Sequence, residues 1–326
     1  MITKEIIYRK AFEEQKNSLK ERRLKYNTLL SSVYASEPEL KETENRLAAV
    51  GAQLAITALS GDKKRLTELK AQAADLNKHK KQILKKAGID EFKFECDICN
   101  DTGYVSGKIC DCIKKKAGRI IVEEFSKQMP LNNCRFDNFE LKYYSTKGNS
   151  EGENPKRRMT SIFKFCKEYS LNFNPKASKN LVFYGDAGLG KTHLTLAIVS
   201  AVIEKGFLPV YGSAENLFTI IESEKFSGEN KGSYDIMLNC DLLVIDDLGA
   251  EMVTSFTKSV LYNLINTRIL SGKPTIINTN LSIKKINEKY DARIASRIIG
   301  SYEPYVFLGT DIRQQKAIEK RAQEGN

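Results

Sequence analysis

The sequence predicts an α/β fold: a parallel sheet with helices on both faces, preceded by an α-helical region and a small cysteine knuckle. Three observations carry this. From about residue 180 onward, short apolar runs alternate with amphipathic helical patterns. A glycine-rich stretch, "GDAGLGKT" at Gly185–Thr192, sits between the apolar run "NLVFY" and the helical pattern "HLTLAIVSAV". Residues 1–90, by contrast, hold almost no Gly or Pro and are rich in Lys, Glu, Leu, Ala and Gln.

Bulk properties bound the function. The chain has 326 residues, 41% of them hydrophobic, enough for about two domains with a real core. No apolar run approaches the roughly 20 residues of a membrane span. The opening "MITKEIIYRKAFEEQ" is charged throughout and lacks the apolar stretch of a signal peptide. A cytosolic protein is expected. Net charge is +11 with pI near 9.1, a balance suited to a phosphate-rich partner such as nucleic acid.

In residues 1–90, Leu47, Val50 and Leu54 have coiled-coil spacing, as do Leu66, Leu69, Ala73, Leu76 and Ile83. Ser60-Gly61-Asp62 separates the two runs, with Asp62 placed to cap the second helix. A helical hairpin is expected, with another helix before Pro38. The region carries 19 basic and 12 acidic side chains. A charged face is usually only solvated. A short helical pair buries little by itself, however, and its apolar seam suits docking of another protein.

Residues 91–128 form the next region. "CDIC" supplies Cys96 and Cys99, and "CDC" supplies Cys110 and Cys112, across the turn-rich "NDTGYVSGK". Four thiolates on two adjacent knuckles can surround one Zn²⁺ tetrahedrally. A redox pair would not need the second set, and no nearby His suggests a catalytic metal. Cys134, Cys166 and Cys240 stand alone and read as ordinary buried thiols. Residues 145–156 are polar and turn-rich, an exposed loop, followed by a helix over 158–169. Then come the strands "NLVFYG", "LPVYGS", "CDLLVIDDLG" and "PTIINTN", with helical patterns between them.

"GDAGLGKT" matches G-x-x-x-x-G-K-[ST] in the context the motif requires, strand before and helix after. Gly185, Asp186, Ala187, Gly188, Leu189 and Gly190 let backbone N–H groups turn toward a phosphate chain. The helix beginning near Lys191 adds its positive end. Lys191 is expected to reach the β- and γ-phosphates and Thr192 to place its hydroxyl on Mg²⁺. "CDLLVIDDLG" ends a buried strand in two carboxylates. Asp246 is assigned to Mg²⁺ through water, and Asp247 to the attacking water. Asn278 and Asn280 are candidates to touch the γ-phosphate or the attacking water, with only one expected to face it; Asn280, at the strand end, is the choice. Arg293, Arg297 and Arg313 follow. An arginine presented to a neighbouring subunit's nucleotide would neutralise transition-state charge.

The phosphate loop with "LLVIDDLGAE", "PTIINTNLS", "RIASRIIG" and "GTDIR", in this order, resembles the DnaC/DnaI class of bacterial replicative helicase loaders, AAA+ ATPases related to DnaA and the IstB transposition helpers. The resemblance covers roughly residues 130–316. It implies an AAA+ ATPase domain at 129–326, Walker A at Gly185–Thr192, Walker B at Asp246–Asp247, and sensor 1 at Asn280. It implies an arginine finger at Arg297, with Arg293 close by, and a sensor 2 arginine at Arg313. Residues 129–139 resemble the segment placed beside adenine. Many AAA+ proteins have Glu where this chain has Asp247. The shorter side chain holds water less well, Glu251 is an alternative, and slow hydrolysis suited to a switch is expected.

The resemblance further implies ATP, Mg²⁺ and structural Zn²⁺ as cofactors. Residues 1–90 and the knuckle would grip a hexameric replicative DNA helicase. The ATPase domains would associate side by side and bind single-stranded DNA. The rivals are an IstB-like ATPase assisting a transposase, a phage-encoded loader, a small-molecule P-loop kinase, and a non-enzymatic DNA-binding adaptor.

Overall fold

The computed structural model describes residues 4–126, 134–148, 152–227 and 232–324. The expected adenine-side segment therefore lies partly outside the described residues (129–133), as does part of the expected loop (149–151). Two compact units result, residues 13–106 and residues 1–12 with 107–326.

The first unit holds α1 (Lys4–Ser36) from Glu13 onward, α2 (Pro38–Ser60) and α3 (Lys63–Lys86). Pro38 opens α2 at its first position, where its fixed φ suits a helix and its missing N–H costs nothing. Gly61 ends α2 in the left-handed conformation. Asp62 then caps α3, accepting the Arg65 N–H at 3.0 Å. The seam residues Leu47, Val50, Leu54, Leu66, Leu69, Ala73, Leu76 and Ile83 are all buried or partly buried. At the tip Ile56 and Leu59 are exposed. Val33, Leu40, Ile83 and Leu84 form a small core of their own. The pairs Lys80–Glu44 (2.6 Å) and His79–Glu39 (2.9 Å) add ties between α2 and α3. A hairpin of β1 (Tyr104–Val105) and β2 (Lys108–Ile109) turns through Ser106 and Gly107, both at positive φ, as a two-residue turn of this hand requires.

The second unit is a five-stranded parallel sheet with helices. Its elements are α4 (Asp111–Ser126), α5 (Pro155–Leu171), β3 (Asn180–Tyr184), α6 (Lys191–Glu204), β4 (Pro209–Ser213), α7 (Ala214–Phe226), α8 (Ser233–Asn239), β5 (Leu242–Leu248), α9 (Ser255–Leu270), β6 (Thr275–Thr279), α10 (Ile283–Lys289), α11 (Ala292–Ser301), β7 (Tyr302–Val306) and α12 (Ile312–Glu324). The strand order is β4-β5-β6-β3-β7, and every pairing is parallel. Strands covered on both faces read as continuous apolar runs. Accordingly Leu242–Ile245, Ile276, Ile277 and Leu181–Phe183 are buried in one core with Leu194, Ile198, Val199 and Val202 of α6.

Two features differ from expectation. The sequence reading has four strands, whereas β7 is a fifth. It contains Pro304, tolerated because β7 pairs only with β3 and is an edge. Helix α5 also starts earlier than expected, because Asn154 accepts the Arg157 N–H at 2.9 Å and Pro155 follows in the first turn.

Candidate nucleotide-binding site

Strand β3 lies between β6 and β7. Its loop therefore leaves the sheet beside the C-terminal ends of both neighbours, the position where open parallel sheets form their ligand crevice. A cleft of about 430 Å³ occupies this place. Ala187 to His193 line it, together with Asp247, Asn280 and Arg313.

Gly190, at φ +88°, immediately precedes α6, so the helix's unpaired N–H groups open toward the loop. Lys191 is 5% exposed. Its ammonium donates to Gly185 O (2.7 Å), Asp186 O (2.8 Å) and Asn280 Oδ1 (2.6 Å). All three donors of the group are thus engaged. Burial pulls the Lys191 amine below its ordinary value, against the raising influence of Asp247, Asp246 and Asp186.

Asp246 is 1% exposed and surrounded by donors. Thr192 Oγ1 lies 3.0 Å from Oδ2, Asn278 Nδ2 donates to Oδ1 at 2.6 Å, and the Asp247 N–H donates to Oδ1 at 3.1 Å. The Tyr211 hydroxyl donates to Oδ2. Burial first, and then Asp246, push the Tyr211 phenol up, which keeps it a donor. The β5–β6 register shifts between Ile245 and Leu248, and Asp247 sits at φ +50°. This irregularity turns the Asp247 carboxylate into the cleft while Asp246 stays below it. Burial, then Asp246, raise the Asp247 carboxyl above the ordinary range.

Alternation does not separate the two asparagines, because residues two apart share a side of a strand; they divide by depth instead, since β6 ends at Thr279 and Asn280 lies beyond it. Asn280 meets Lys191 in the cleft, whereas buried Asn278 bridges Asp246 and the Thr195 hydroxyl (3.0 Å). Arg313 lines the cleft from α12. Arg297 and Arg293 are not among its lining residues; Arg293 is exposed over the Tyr262 ring, 5.2 Å from its centroid. Glu251, the alternative water ligand, is not there either. Its carboxylate accepts the Gly249 N–H (2.9 Å) and the Tyr290 hydroxyl.

Phe139 and Tyr143 border the cleft. Tyr144 donates to Leu189 O at 2.9 Å, and a Cβ on Gly190 would stand 2.9 Å from the Phe139 ring. This aromatic wall suits a flat base. Cys134 is half-buried and lines the same wall, whereas Cys166 and Cys240 are buried thiols pushed up by desolvation. Tyr211 and Tyr290 were missed by the sequence reading. The only available signal was a polar-tipped ring beside each acidic loop's partner strand or helix.

The donor set fits a hard cation. A threonine hydroxyl already directed at a buried carboxylate offers oxygen ligands of the type Mg²⁺ takes. The ligand atoms of Cys96, Cys99, Cys110 and Cys112 all lie within 4.8 Å of one another. A tetrahedral zinc site with Zn–S near 2.3 Å needs sulfurs about 3.8 Å apart, so the set fits Zn²⁺. Asp101, buried, shapes the first pair by accepting the N–H of Glu95 (3.1 Å) and Cys96 (2.9 Å) and by pairing with Arg22 at 2.6 Å.

Fold and cleft define a P-loop α/β module: a parallel sheet with a glycine-rich loop and a cleft at the C-terminal ends of its strands. The family model described as IstB-like ATP binding protein matches residues 164–300. The chain resembles the replicative helicase loader DnaC of Buchnera aphidicola, with 26% identity over 170 residues, covering 51% of this chain and 63% of that protein. It resembles the chromosomal replication initiator DnaA of Campylobacter jejuni at 31% over 144 residues, covering 43% of this chain and 32% of that one. A crystal structure of the DnaC helicase loader aligns with TM-score 0.47 and 24% identity, covering 56% of this chain and 100% of that chain. The chain thus spans less than two thirds of its DnaC relative. Among the described residues, no helix is long and apolar enough to cross a membrane.

Proposed function

We propose that this protein is an ATP-dependent helicase loader acting in replication initiation or restart, with hydrolysis as the switch. The observation that carries the reading is the convergence of Lys191, Thr192, Asp247, Asn280 and Arg313 on one cleft, with Asp246 beneath it bonded to Thr192, in a chain similar to DnaC loaders.

The residues' chemistry supports the roles. ATP phosphates would take over Lys191 donors now held by loop carbonyls and Asn280, so binding exchanges contacts rather than leaving a buried ammonium unpaired. Magnesium, held by Thr192 and through water by Asp246, would neutralise phosphate charge. Asp247 would orient or deprotonate the attacking water. Its raised carboxyl makes it a better base near neutral pH, offsetting part of its short reach. Asn280 would hold the γ-phosphate or the water, and Arg313 would sense the nucleotide from α12. Arg297, outside this chain's own cleft, would serve a neighbouring copy's nucleotide.

The helical unit, with Ile56 and Leu59 exposed at its tip, and the zinc knuckle would hold the hexameric helicase. The ATPase module would associate with copies of itself and bind single-stranded DNA. ATP and DNA both favour the assembled state, so each tightens the other. DNA affinity should fall steeply with salt. The work is cytoplasmic. A second reading, help to a transposase in choosing target DNA, is favoured by the IstB-like match over 164–300. Pull-down from the native cell extract with ATP decides: replicative helicase supports the loader, transposase the second reading, and neither overturns both.

A further inference from the structure

We propose that Tyr211 is a positioning residue that holds Asp246 for the magnesium ion; the inference rests on the nucleotide reading above. Tyr211 belongs to β4, which pairs with β5 so that Tyr211 faces Val244 and Ser213 faces Asp246. Two residues along a strand span about 6.6 Å, roughly the reach of a tyrosine ring, and the hydroxyl accordingly meets Asp246 Oδ2 diagonally across the pair. No shorter hydroxyl at this position would arrive.

A carboxylate offers about four acceptor sites. Here they are taken by Tyr211 and Thr192 on Oδ2, and by Asn278 and the Asp247 N–H on Oδ1. Thr192 is the donor that shares the cleft with the phosphate loop; when its hydroxyl turns to a cation, the Oδ2 site it holds becomes free to accept a metal-bound water. Tyr211, 0% exposed, and Asn278, also 0% exposed, are the buried anchors that stop the carboxylate turning away. Neither lines the cleft. Their effect therefore passes through Asp246 and is felt by metal, not by nucleotide. The neighbouring Gly212 leaves room for this, because a Cβ there would stand 2.7 Å from Leu217 Cδ2, so β4 sits against α7 with Tyr211 held in place.

The test titrates magnesium chloride into the full-length chain with a fluorescent ATP analogue and reads binding, not turnover. For Tyr211→Phe, which keeps the ring, affinity in EDTA should stay within about twofold while the magnesium midpoint rises about tenfold, corresponding to about 1.4 kcal/mol. In an Asp246→Asn background the same change should leave the midpoint unmoved, since the group Tyr211 orients is gone. A general packing defect would shift both backgrounds and the EDTA value alike, and that result overturns the proposal. So does an unchanged midpoint in Tyr211→Phe while the wild type responds to magnesium. A wild type with no magnesium dependence overturns the nucleotide reading itself.

Discussion

Gly188→Ala tests how the phosphate loop is held. Gly188 has φ +75°, and an ideal Cβ would stand 2.1 Å from Asp311 Oδ1 and 2.2 Å from its Cγ. The left-handed conformation costs an alanine about 1–2 kcal/mol. Asp311 must also move. Its Oδ1 accepts the N–H of Arg313 at 2.8 Å and of Gln314 at 3.3 Å, capping α12, and losing such a cap costs about 1 kcal/mol. The sum is about 2–3 kcal/mol, concentrated where the Ile312 N–H donates to Gly188 O at 3.1 Å. Hydrogen exchange at Ile312 should then quicken roughly 30- to 150-fold. ATP-analogue affinity should fall with it, because Arg313 leaves with α12. Asp311→Ala alone should cost about 1 kcal/mol. The double variant should cost no more than Gly188→Ala, because the clash and the cap are then already gone, a coupling of about 1 kcal/mol. Strict additivity, or unchanged exchange in Gly188→Ala, would refute the reasoning.

Three further outcomes are expected. Asp247→Asn should abolish most ATP hydrolysis yet raise the melting midpoint at pH 7: the folded carboxyl titrates above its unfolded value, so the ionised form opposes folding. The gain should fade as pH falls through the folded value toward about 4 and be gone below it, where the group is protonated in both states; a gain that persists there would contradict the assignment. Tyr290→Phe leaves the buried Glu251 carboxylate short of a donor and should destabilise the chain by about 1–3 kcal/mol in urea unfolding, with a smaller loss when paired with Glu251→Gln. Elemental analysis should find one zinc per chain; Cys99→Ser should lose it and lower the melting midpoint by roughly 5 °C or more, whereas a metal-free wild type of normal stability would remove the zinc assignment.

What was legible in the sequence is what short-range rules control. The phosphate loop carries its own flanks, so strand, turn and helix follow from adjacent residues. Asp62 and Gly61 punctuate α2 and α3 locally, and the seam of Leu47 to Ile83 follows helical periodicity alone. Alternation along β6 could not separate Asn280 from Asn278, which are two apart and share a side; the end of the strand at Thr279 did. The β7 strand was not legible, since Pro304 argues against a strand and only its edge place beside β3 permits one.

The residues that only the tertiary structure assigned act across long sequence gaps. Tyr211 meets Asp246 because β4 and β5 are neighbours in a given register. Glu251 is withdrawn from the cleft because Tyr290 reaches it from the far end of α10. Asp311 rests on Gly188 because β7 brings α12 to the loop. Local sequence determines which groups are chemically able to bind a phosphate or a cation; which partners hold them depends on strand order, and strand order is decided by burial of the whole sheet rather than by any one segment.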